Sequence, residues 1–290
     1  MSLRTFIFLL LAIVLGWTVL QTVQNLSIEK IPARDRSLQL NVDTNTMLRD
    51  IAEGRDFDPQ ILADTITYTS RRFDTSDFRL QSLMRILYRH QDNVTADDYQ
   101  SIKDIFLGFK YWMDQPGVDS MCYWSENHQL LLAASEYLAG QLWPDEIFSN
   151  TGLTGREHQA MARERILTWL EQRWLYGFAE WYSNTYYVED IAPLANLIDF
   201  AKDEEIVIKA QMIMDLLLHD VATQSYQGTF ISSSGRLYAN GKRYADKTDM
   251  QAVIDHIWDP ARWGREANQR FGMGINFAMI ENYTVPAVIK

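Results

Sequence analysis

A cluster of polar and aromatic side chains at residues 122–129 offers the clearest chemistry in this sequence. The cluster precedes an apolar run over 130–142 and contains Tyr123, Trp124, Glu126, Asn127 and His128. A buried core has little use for such a group, because each polar atom without a partner would destabilise the fold. A concave site that binds a polar ligand does have a use for it. We therefore predict a ligand site at this helix start.

A second cluster of the same kind occupies residues 180–190. It contains Glu180, Trp181, Tyr182, Asn184, Tyr186, Tyr187, Glu189 and Asp190. This segment also leads into a predicted helix, so the two clusters together predict one ligand site built from helix ends. Trp124 and Trp181 would line its groove, and Tyr182 and Asn184 would bind the ligand. Trp181 and Tyr182 could stack on a sugar ring or equally fill the core.

Acid–base chemistry is predicted for the first cluster. With Ser125 as the N-cap, the next three residues occupy the first helical turn, about 100° apart, so not all three can face one site. Free N–H groups at the helix start favour an anionic ligand group such as a uronate carboxylate. The same dipole should lower the pKa of Glu126 and keep His128 neutral, as a base requires. A capping role for His128 and simple dipole complementarity for Glu126 remain open.

The second cluster offers two further chemistries. A tyrosine hydroxyl, from Tyr186 or Tyr187, can act as base and acid if a cation such as Arg236 lowers its pKa. Glu189 and Asp190 could instead be the acid and nucleophile of a glycosidase, although neighbours in sequence rarely face the same bond. Their alternative role is to cap the helix that follows.

Composition excludes several function classes. The net charge is −11 and the sequence pI is about 4.9, which argues against nucleic-acid binding. Four basic residues gather at 236–247, where a solvated loop is the more common explanation. The histidines are scattered, and no phosphate-binding or dinucleotide-binding motif occurs, so we predict neither a metal nor a cofactor. Cys122 is interpreted as a structural thiol.

The N-terminus predicts export. Residues Thr5–Leu20 are almost unbroken in their apolar character behind Arg4, as in a signal anchor or a signal peptide. We assign residues 1–25 to this segment and residues 26–45 to a linker, with a buried helix as the third alternative. The protein would then be membrane-anchored through this helix, or secreted, with its body outside the cytoplasm.

Residues 46–290 predict an all-α domain. Helix starts are indicated at Thr95, Thr154 and Asp203, and a helix is expected from about Asp190, with Pro193 in its first turn. Helices separated by alternating short and long loops are typical of stacked antiparallel hairpins. The glycine- and serine-rich segment 228–236 is either a β-hairpin or a long loop.

Three short segments carry a resemblance to a known family. They are Tyr123-Trp-Ser-Glu-Asn-His128, Ala134-Ser-Glu-Tyr-Leu-Ala-Gly-Gln141, and Glu180-Trp-Tyr-Ser-Asn184 with Tyr186-Tyr187. They resemble (α/α)-toroid carbohydrate enzymes, nearest the heparinase II/III-like polysaccharide lyases and, beyond them, six-hairpin glycosidases. The resemblance covers roughly residues 75–245. It implies a partial or reduced toroid, because a full one needs more helices than this body supplies.

The resemblance also implies site residues. In such lyases an Asn and a His neutralise the uronate carboxylate and take part in proton transfer, while a Tyr and an Arg assist. Carried onto this chain, Asn127 and His128 match the first pair, either Tyr186 or Tyr187 would be the tyrosine, and Arg236 would be the arginine.

The leading hypothesis is therefore a polysaccharide lyase that acts by β-elimination on a uronate-containing glycan. A first alternative is a glycoside hydrolase that uses Glu126 with Glu189 or Asp190. A second is a non-catalytic glycan-binding or scaffold domain on a membrane.

Overall fold

The protein is mostly α-helical. The computed structural model describes residues 39–261 and 272–290. Its helices are α1 Thr44–Ala52, α2 Pro59–Ser70, α3 Ser76–Arg89, α4 Ala96–Gly108, α5 Glu126–Leu142, α6 Gly155–Tyr176, α7 Tyr187–Phe200, α8 Glu204–Thr223, α9 Ala239–Arg243, α10 Met250–Trp258 and α11 Ile275–Ala278. Strands β1 (Ser225–Tyr226) and β2 (Thr229–Phe230) form a small antiparallel hairpin. The all-α prediction is confirmed for this part of the chain.

Local capping explains several helix starts. The Thr95 hydroxyl accepts the N–H of Asp98 at 3.1 Å at the start of α4. At the start of α6, Thr154 and Glu157 cap each other reciprocally, each side chain accepting the other's backbone N–H. Asp203 accepts the N–H of Glu205 at 2.9 Å before α8. These side chains satisfy N–H groups that have no partner inside the helix, so the predicted starts are confirmed.

Helices α3 and α5 run parallel. Their first turns are joined by Asp77 and His128, whose side chains are 2.5 Å apart. Their last turns are joined by Tyr88 and Gln141, whose amide nitrogen donates to the tyrosine hydroxyl at 2.9 Å. The N-terminal ends of the two helices therefore lie at the same end of the molecule.

Helix α7 joins this parallel pair, and α6 packs outside in the opposite direction. The last turns of α3 and α7 are linked by Arg85 and Asp199 at 2.8 Å. By contrast, Trp169 in the second half of α6 donates its indole N–H to the carbonyl of Glu126 at the start of α5. Three inner helices thus present their N-terminal turns at one end, against the C-terminal half of α6.

The close approach of α5 to the start of α6 depends on two glycines. A methyl group on Gly140 would overlap the backbone carbonyl of Gly155, and one on Gly155 would overlap the carbonyl of Trp143. Both contacts are with backbone, which cannot rotate away as a side chain can. Absence of a Cβ at these positions therefore sets the distance between the two helices.

Two details of the predicted helix starts are wrong. Helix α7 begins at Tyr187, so Pro193 lies in its second turn and leaves the carbonyl of Glu189 without an N–H donor from that position. Ser125 stands at the N-cap of α5, but its hydroxyl donates to Asn127 at 2.5 Å and caps no backbone N–H. The nearby amide side chain competes for the serine hydroxyl.

The predicted N-terminal segment, residues 1–25, lies outside the described residues, as does most of the linker. The described part of the linker differs from the prediction at its end, because α1 already begins at Thr44 after the cap Asp43. Among the helices of residues 39–261 and 272–290, none is long and apolar enough to cross a membrane.

Candidate functional site

Polar side chains from five parts of the chain meet at the N-terminal ends of α3, α5 and α7. We call this group the helix-mouth cluster. Its members are Asp77, Glu126, His128, Arg173, Glu180, Tyr186, Glu189, Asp190, Arg236 and Tyr238. Both clusters found in the sequence contribute to it. The sequence did not single out Asp77, Arg173 or Tyr238, because each looks in its own segment like an ordinary surface or core residue.

His128 is paired with an acid from another helix. Its Nδ1 lies 2.5 Å from Oδ2 of Asp77, which is fully buried, and its ring stacks on Phe78 with centroids 5.2 Å apart. Nε2 has no hydrogen-bond partner among the described residues. A histidine held at Nδ1 by a carboxylate, with Nε2 free, is oriented for proton transfer.

The protonation of His128 differs from the prediction. Burial lowers its pKa, but the hydrogen bond and the charge of Asp77 raise it by more, so the pKa lies above its ordinary value. The sequence suggested the opposite direction, because it showed only the helix start and not the carboxylate that α3 brings to the ring. His128 therefore becomes neutral at a higher pH than an exposed histidine does.

Glu126 joins the two clusters. Its carboxylate accepts the N–H groups of Ala179 at 2.6 Å and Glu180 at 3.4 Å, and Arg173 pairs with it at 2.5 Å. Burial raises the pKa of Glu126 more than these partners lower it, so the predicted lowering is wrong. With its oxygens used in this way, Glu126 holds the loop before α7 against the mouth of α5.

The partly exposed Arg236 and Tyr238 form the outer part of the cluster, over the buried Tyr186. The Arg236 guanidinium pairs with Glu180 at 2.8 Å and lies 4.2 Å from the centroid of the Tyr186 ring. The Tyr186 hydroxyl is 2.6 Å from that of Tyr238. Burial and this hydrogen bond raise the pKa of Tyr186 despite the nearby cation. Contrary to the prediction, Arg236 does not prepare Tyr186 as a base, and the hydroxyl stays protonated at neutral pH.

Tyr187 and Asn184 serve the fold. Tyr187 is fully buried, donates to Asp220 at 3.0 Å and accepts the N–H of Tyr182 at 2.9 Å. Its ring packs on Phe230, and burial raises its pKa. The Asn184 amide is also buried, and it donates to a backbone carbonyl of α9 at 3.4 Å. The expected catalytic role of Tyr187 is therefore not supported by its position in the core.

Asn127 is fully buried. Its Oδ1 accepts from the Ser125 hydroxyl and from the N–H of His128 at 2.8 Å, while Nδ2 has no partner among the described residues. The amide therefore holds the first turn of α5 and the backbone of His128. It does not reach the surface, where a ligand carboxylate would have to meet it.

The expected aromatic platform is partly exposed. Trp124 is 68% exposed and Trp181 is 43% exposed, which is more than tryptophan side chains usually show. Tyr182 packs edge-on against Trp181 with ring centroids 5.8 Å apart. Its backbone has a φ of 53°, in the left-handed region that side chains other than glycine rarely adopt.

Asp190 and Glu189 are buried carboxyls in the first turn of α7. Both oxygens of Asp190 lack a hydrogen-bond partner among the described residues, and so does Oε2 of Glu189. Burial raises the pKa of both groups well above the ordinary values, and the charges of nearby carboxylates raise it further. These two side chains therefore favour the neutral, protonated form.

We expect Asp190→Asn to raise the free energy of unfolding at neutral pH. A carboxyl whose pKa is higher in the folded state binds more protons there, so it lowers stability as pH rises above the unfolded value of about 3.9. Each unit of upward shift costs about 1.4 kcal/mol, and the neutral amide escapes this cost. Urea unfolding followed between acid and neutral pH measures the effect.

The matched control is Asp97→Asn, an exposed carboxylate on α4. It should change the free energy of unfolding at neutral pH by less than about 1 kcal/mol. Equal pH dependence in the native chain and in Asp190→Asn would contradict the buried, protonated state of Asp190.

Among the described residues, no three histidine, cysteine, aspartate or glutamate side chains stand close enough together to hold a metal ion. The free Cys122 is half-buried, with its sulfur 3.8 Å from the Ser125 hydroxyl.

Comparisons with known proteins identify no relative. No family model, no curated protein and no solved structure matches this chain.

Proposed function

We propose that this chain is a polysaccharide lyase that cleaves a uronate-containing glycan by β-elimination. The observation that carries the proposal is the Asp77–His128 pair at the mouths of α3 and α5, with Nε2 of His128 free. A proton attached to carbon beside a carboxylate is removed only by a well-placed base, and this pair is the best-oriented base of the helix-mouth cluster.

The helix arrangement is consistent with a reduced (α/α) toroid. Three parallel inner helices and an antiparallel outer helix are what stacked hairpins produce when they curve around a centre. In such an arrangement the inner N-terminal turns surround one opening, and their free N–H groups favour an anionic ligand.

The roles follow from position and protonation. His128 takes the C5 proton of the uronate at Nε2, the C4–C5 double bond forms, and the C4–O bond breaks. Tyr186, which is protonated at neutral pH, donates a proton to the departing oxygen. Arg236, whose side chain is 48% exposed, binds the carboxylate and stabilises the negative charge that develops on it. Asp77 positions the His128 ring.

Hydrolysis is less well supported. It would need Glu126 with Glu189 or Asp190, but Glu126 is already bound by Arg173 and two N–H groups. Asp190 is fully buried, where a glycosidic oxygen cannot reach it without a rearrangement of α7. A glycan-binding domain without catalysis would use the same cluster and the exposed tryptophans.

A product assay separates these functions. The purified chain is incubated with polygalacturonate, alginate and hyaluronan, while ultraviolet absorbance of unsaturated uronate ends and reducing ends are both followed. Absorbance that rises together with reducing ends is expected for a lyase. Reducing ends without absorbance would establish hydrolysis. If a folded chain binds one of these glycans but neither absorbance nor reducing ends increase, the protein is a glycan-binding domain without catalysis.

We expect the pH profile of kcat/KM to report His128. The base must be neutral, so activity should rise with pH through a pKa above about 6.5, the ordinary value for histidine. In Asp77→Asn the carboxylate charge is lost, so the rising limb should move to lower pH while the plateau falls. A rising limb at the same pH in both proteins would contradict the role of the pair.

Export of this body is the remaining part of the proposal. It rests on the apolar segment Thr5–Leu20, which would place the glycan-binding surface outside the cytoplasm, where polysaccharides of this kind occur.

A further inference from the structure

A groove lies on the outer side of the helix mouths, between α5, α6 and the loop before α5. We call it the outer groove. It has a volume of about 280 Å³ and is lined by Trp112, Gln129, Glu164, Arg165, Thr168, Trp169 and Gln172. No residue of the proposed reaction lines it, so its chemistry needs a separate explanation.

A buried carboxylate fixes the cation of the groove. Glu136 is fully buried in α5, and its carboxylate pairs closely with Arg165 and lies 2.5 Å from Nδ1 of His158. Burial lowers the pKa of Arg165 to about 10, so the guanidinium is still charged at neutral pH. A buried ion pair contributes little stability compared with an apolar pair of the same volume. Here it holds an arginine in one orientation at the groove.

The same carboxylate positions the aromatic wall. The Gln115 amide nitrogen donates to Glu136 at 3.3 Å, and its oxygen accepts the N–H of Tyr111 at 2.7 Å. These bonds hold the loop that carries Trp112, whose ring lies 5.1 Å from the Arg165 guanidinium. Cation and aromatic ring are therefore preorganised together before any ligand arrives.

The lining matches one sugar ring. Trp112, which is partly exposed, supplies apolar surface for the C–H face of a pyranose, while the side-chain amides of Gln129 and Gln172 and the Arg165 guanidinium supply hydrogen bonds to its hydroxyls. A volume of about 280 Å³ lies at the lower end of ligand pockets, so it suits a single ring and not a longer segment.

The groove adjoins the proposed reaction site. The Trp169 indole donates to the carbonyl of Glu126 at 2.9 Å, and Gln129 donates to the carbonyl of Trp124 at 2.9 Å. Trp124 is exposed and is bonded to a residue of the groove, so a polymer that passes over it can reach both places. We infer that the outer groove binds a pyranose unit of the same glycan chain, away from the bond that is cleaved; this inference rests on the proposed function.

The test measures affinity against glycan length. The full chain with His128→Gln, which should not cut its ligand, is titrated with oligogalacturonates from disaccharide to octasaccharide by calorimetry. The octasaccharide should bind at least about tenfold more tightly than the disaccharide. In Trp112→Ala made in the same background, the octasaccharide should lose about tenfold in affinity while the disaccharide is unaffected. Unchanged disaccharide affinity also shows that the variant is folded.

The matched control is Trp174→Ala, an exposed tryptophan on α6 that does not line the groove. Its octasaccharide affinity should be unchanged, and equal losses in both variants, or none in Trp112→Ala, would overturn the inference. If the native chain cleaves the glycan but Trp112→Ala does not change the dependence of affinity on length, the proposed lyase function holds and the inference about the groove is wrong. If binding depends on length and on Trp112 but the native chain cleaves no glycan, the groove is supported and the lyase function is wrong.

Discussion

Replacing His128 by glutamine should lower the rate of uronate-glycan cleavage by a factor of about 10²–10⁴, the usual contribution of a positioned general base. Glutamine fills a similar volume and can still donate a hydrogen bond to Asp77, but it cannot accept a proton at neutral pH. Because the change removes proton transfer and leaves the surrounding contacts, the loss should appear in kcat with little change in KM. Initial rates on the glycan that the native chain cleaves measure it.

The matched control is His219→Gln, an exposed histidine on α8. It should keep native kinetics, and both variants should unfold near the native temperature. A His128→Gln variant that is folded and cleaves its glycan at the native rate would exclude His128 as the base. Attention would then move to the hydroxyl pair of Tyr186 and Tyr238 in the same cluster.

Replacing Arg85 by methionine should lower the free energy of unfolding by about 3–5 kcal/mol, which is a large fraction of the stability of a typical domain. The Arg85 guanidinium is almost fully buried; it pairs with Asp199 at 2.8 Å and donates to Asn196 at 3.1 Å and to the carbonyl of Met279 at 3.1 Å. Without it, the carboxylate of Asp199 is left buried and unpaired. Chemical denaturation gives the difference.

The second substitution Asp199→Asn should restore part of this loss. Oδ1 of Asp199 accepts the N–H groups of Glu281 at 3.0 Å and Asn282 at 2.9 Å, and an asparagine oxygen can keep both bonds without a buried charge. The exposed pair of Arg156 with Asp145 provides the contrast, because Arg156→Met should cost less than about 1 kcal/mol. Equal losses of unfolding free energy in Arg85→Met and Arg156→Met would contradict the explanation that burial makes the Arg85 ion pair costly to break.

Arg85 stabilises the fold but lies far from the helix-mouth cluster. Arg85 and Asp199 lie in the last turns of α3 and α7, at the opposite end of these helices from the helix-mouth cluster. They connect α3 and α7 to the C-terminal segment around Met279. An Arg85→Met protein that is kept folded at low temperature should therefore retain the kinetics of the native chain.

Local signals in the sequence were sufficient for many of the helices. The caps at Thr95, Thr154 and Asp203 act within three residues of themselves, so their type and spacing indicated where α4, α6 and α8 begin. The sequence alone also indicated that two polar and aromatic segments stand at helix starts. The position of Pro193 in its helix was predicted wrongly, because α7 begins earlier than expected. It begins at the buried Tyr187, soon after the turn that contains Tyr182 at positive φ.

Long-range pairing decided the character of the site. Asp77 and His128 are 51 residues apart, and Glu126 meets the N–H of Ala179 across 53 residues. The sequence by itself determined which residue types stand at the helix starts, because hydrophobic periodicity and capping depend on near neighbours. Only the tertiary structure decided which of them face each other, and hence the direction of the pKa shifts of Glu126 and His128, because burial and the nearest charges come from segments distant in the chain.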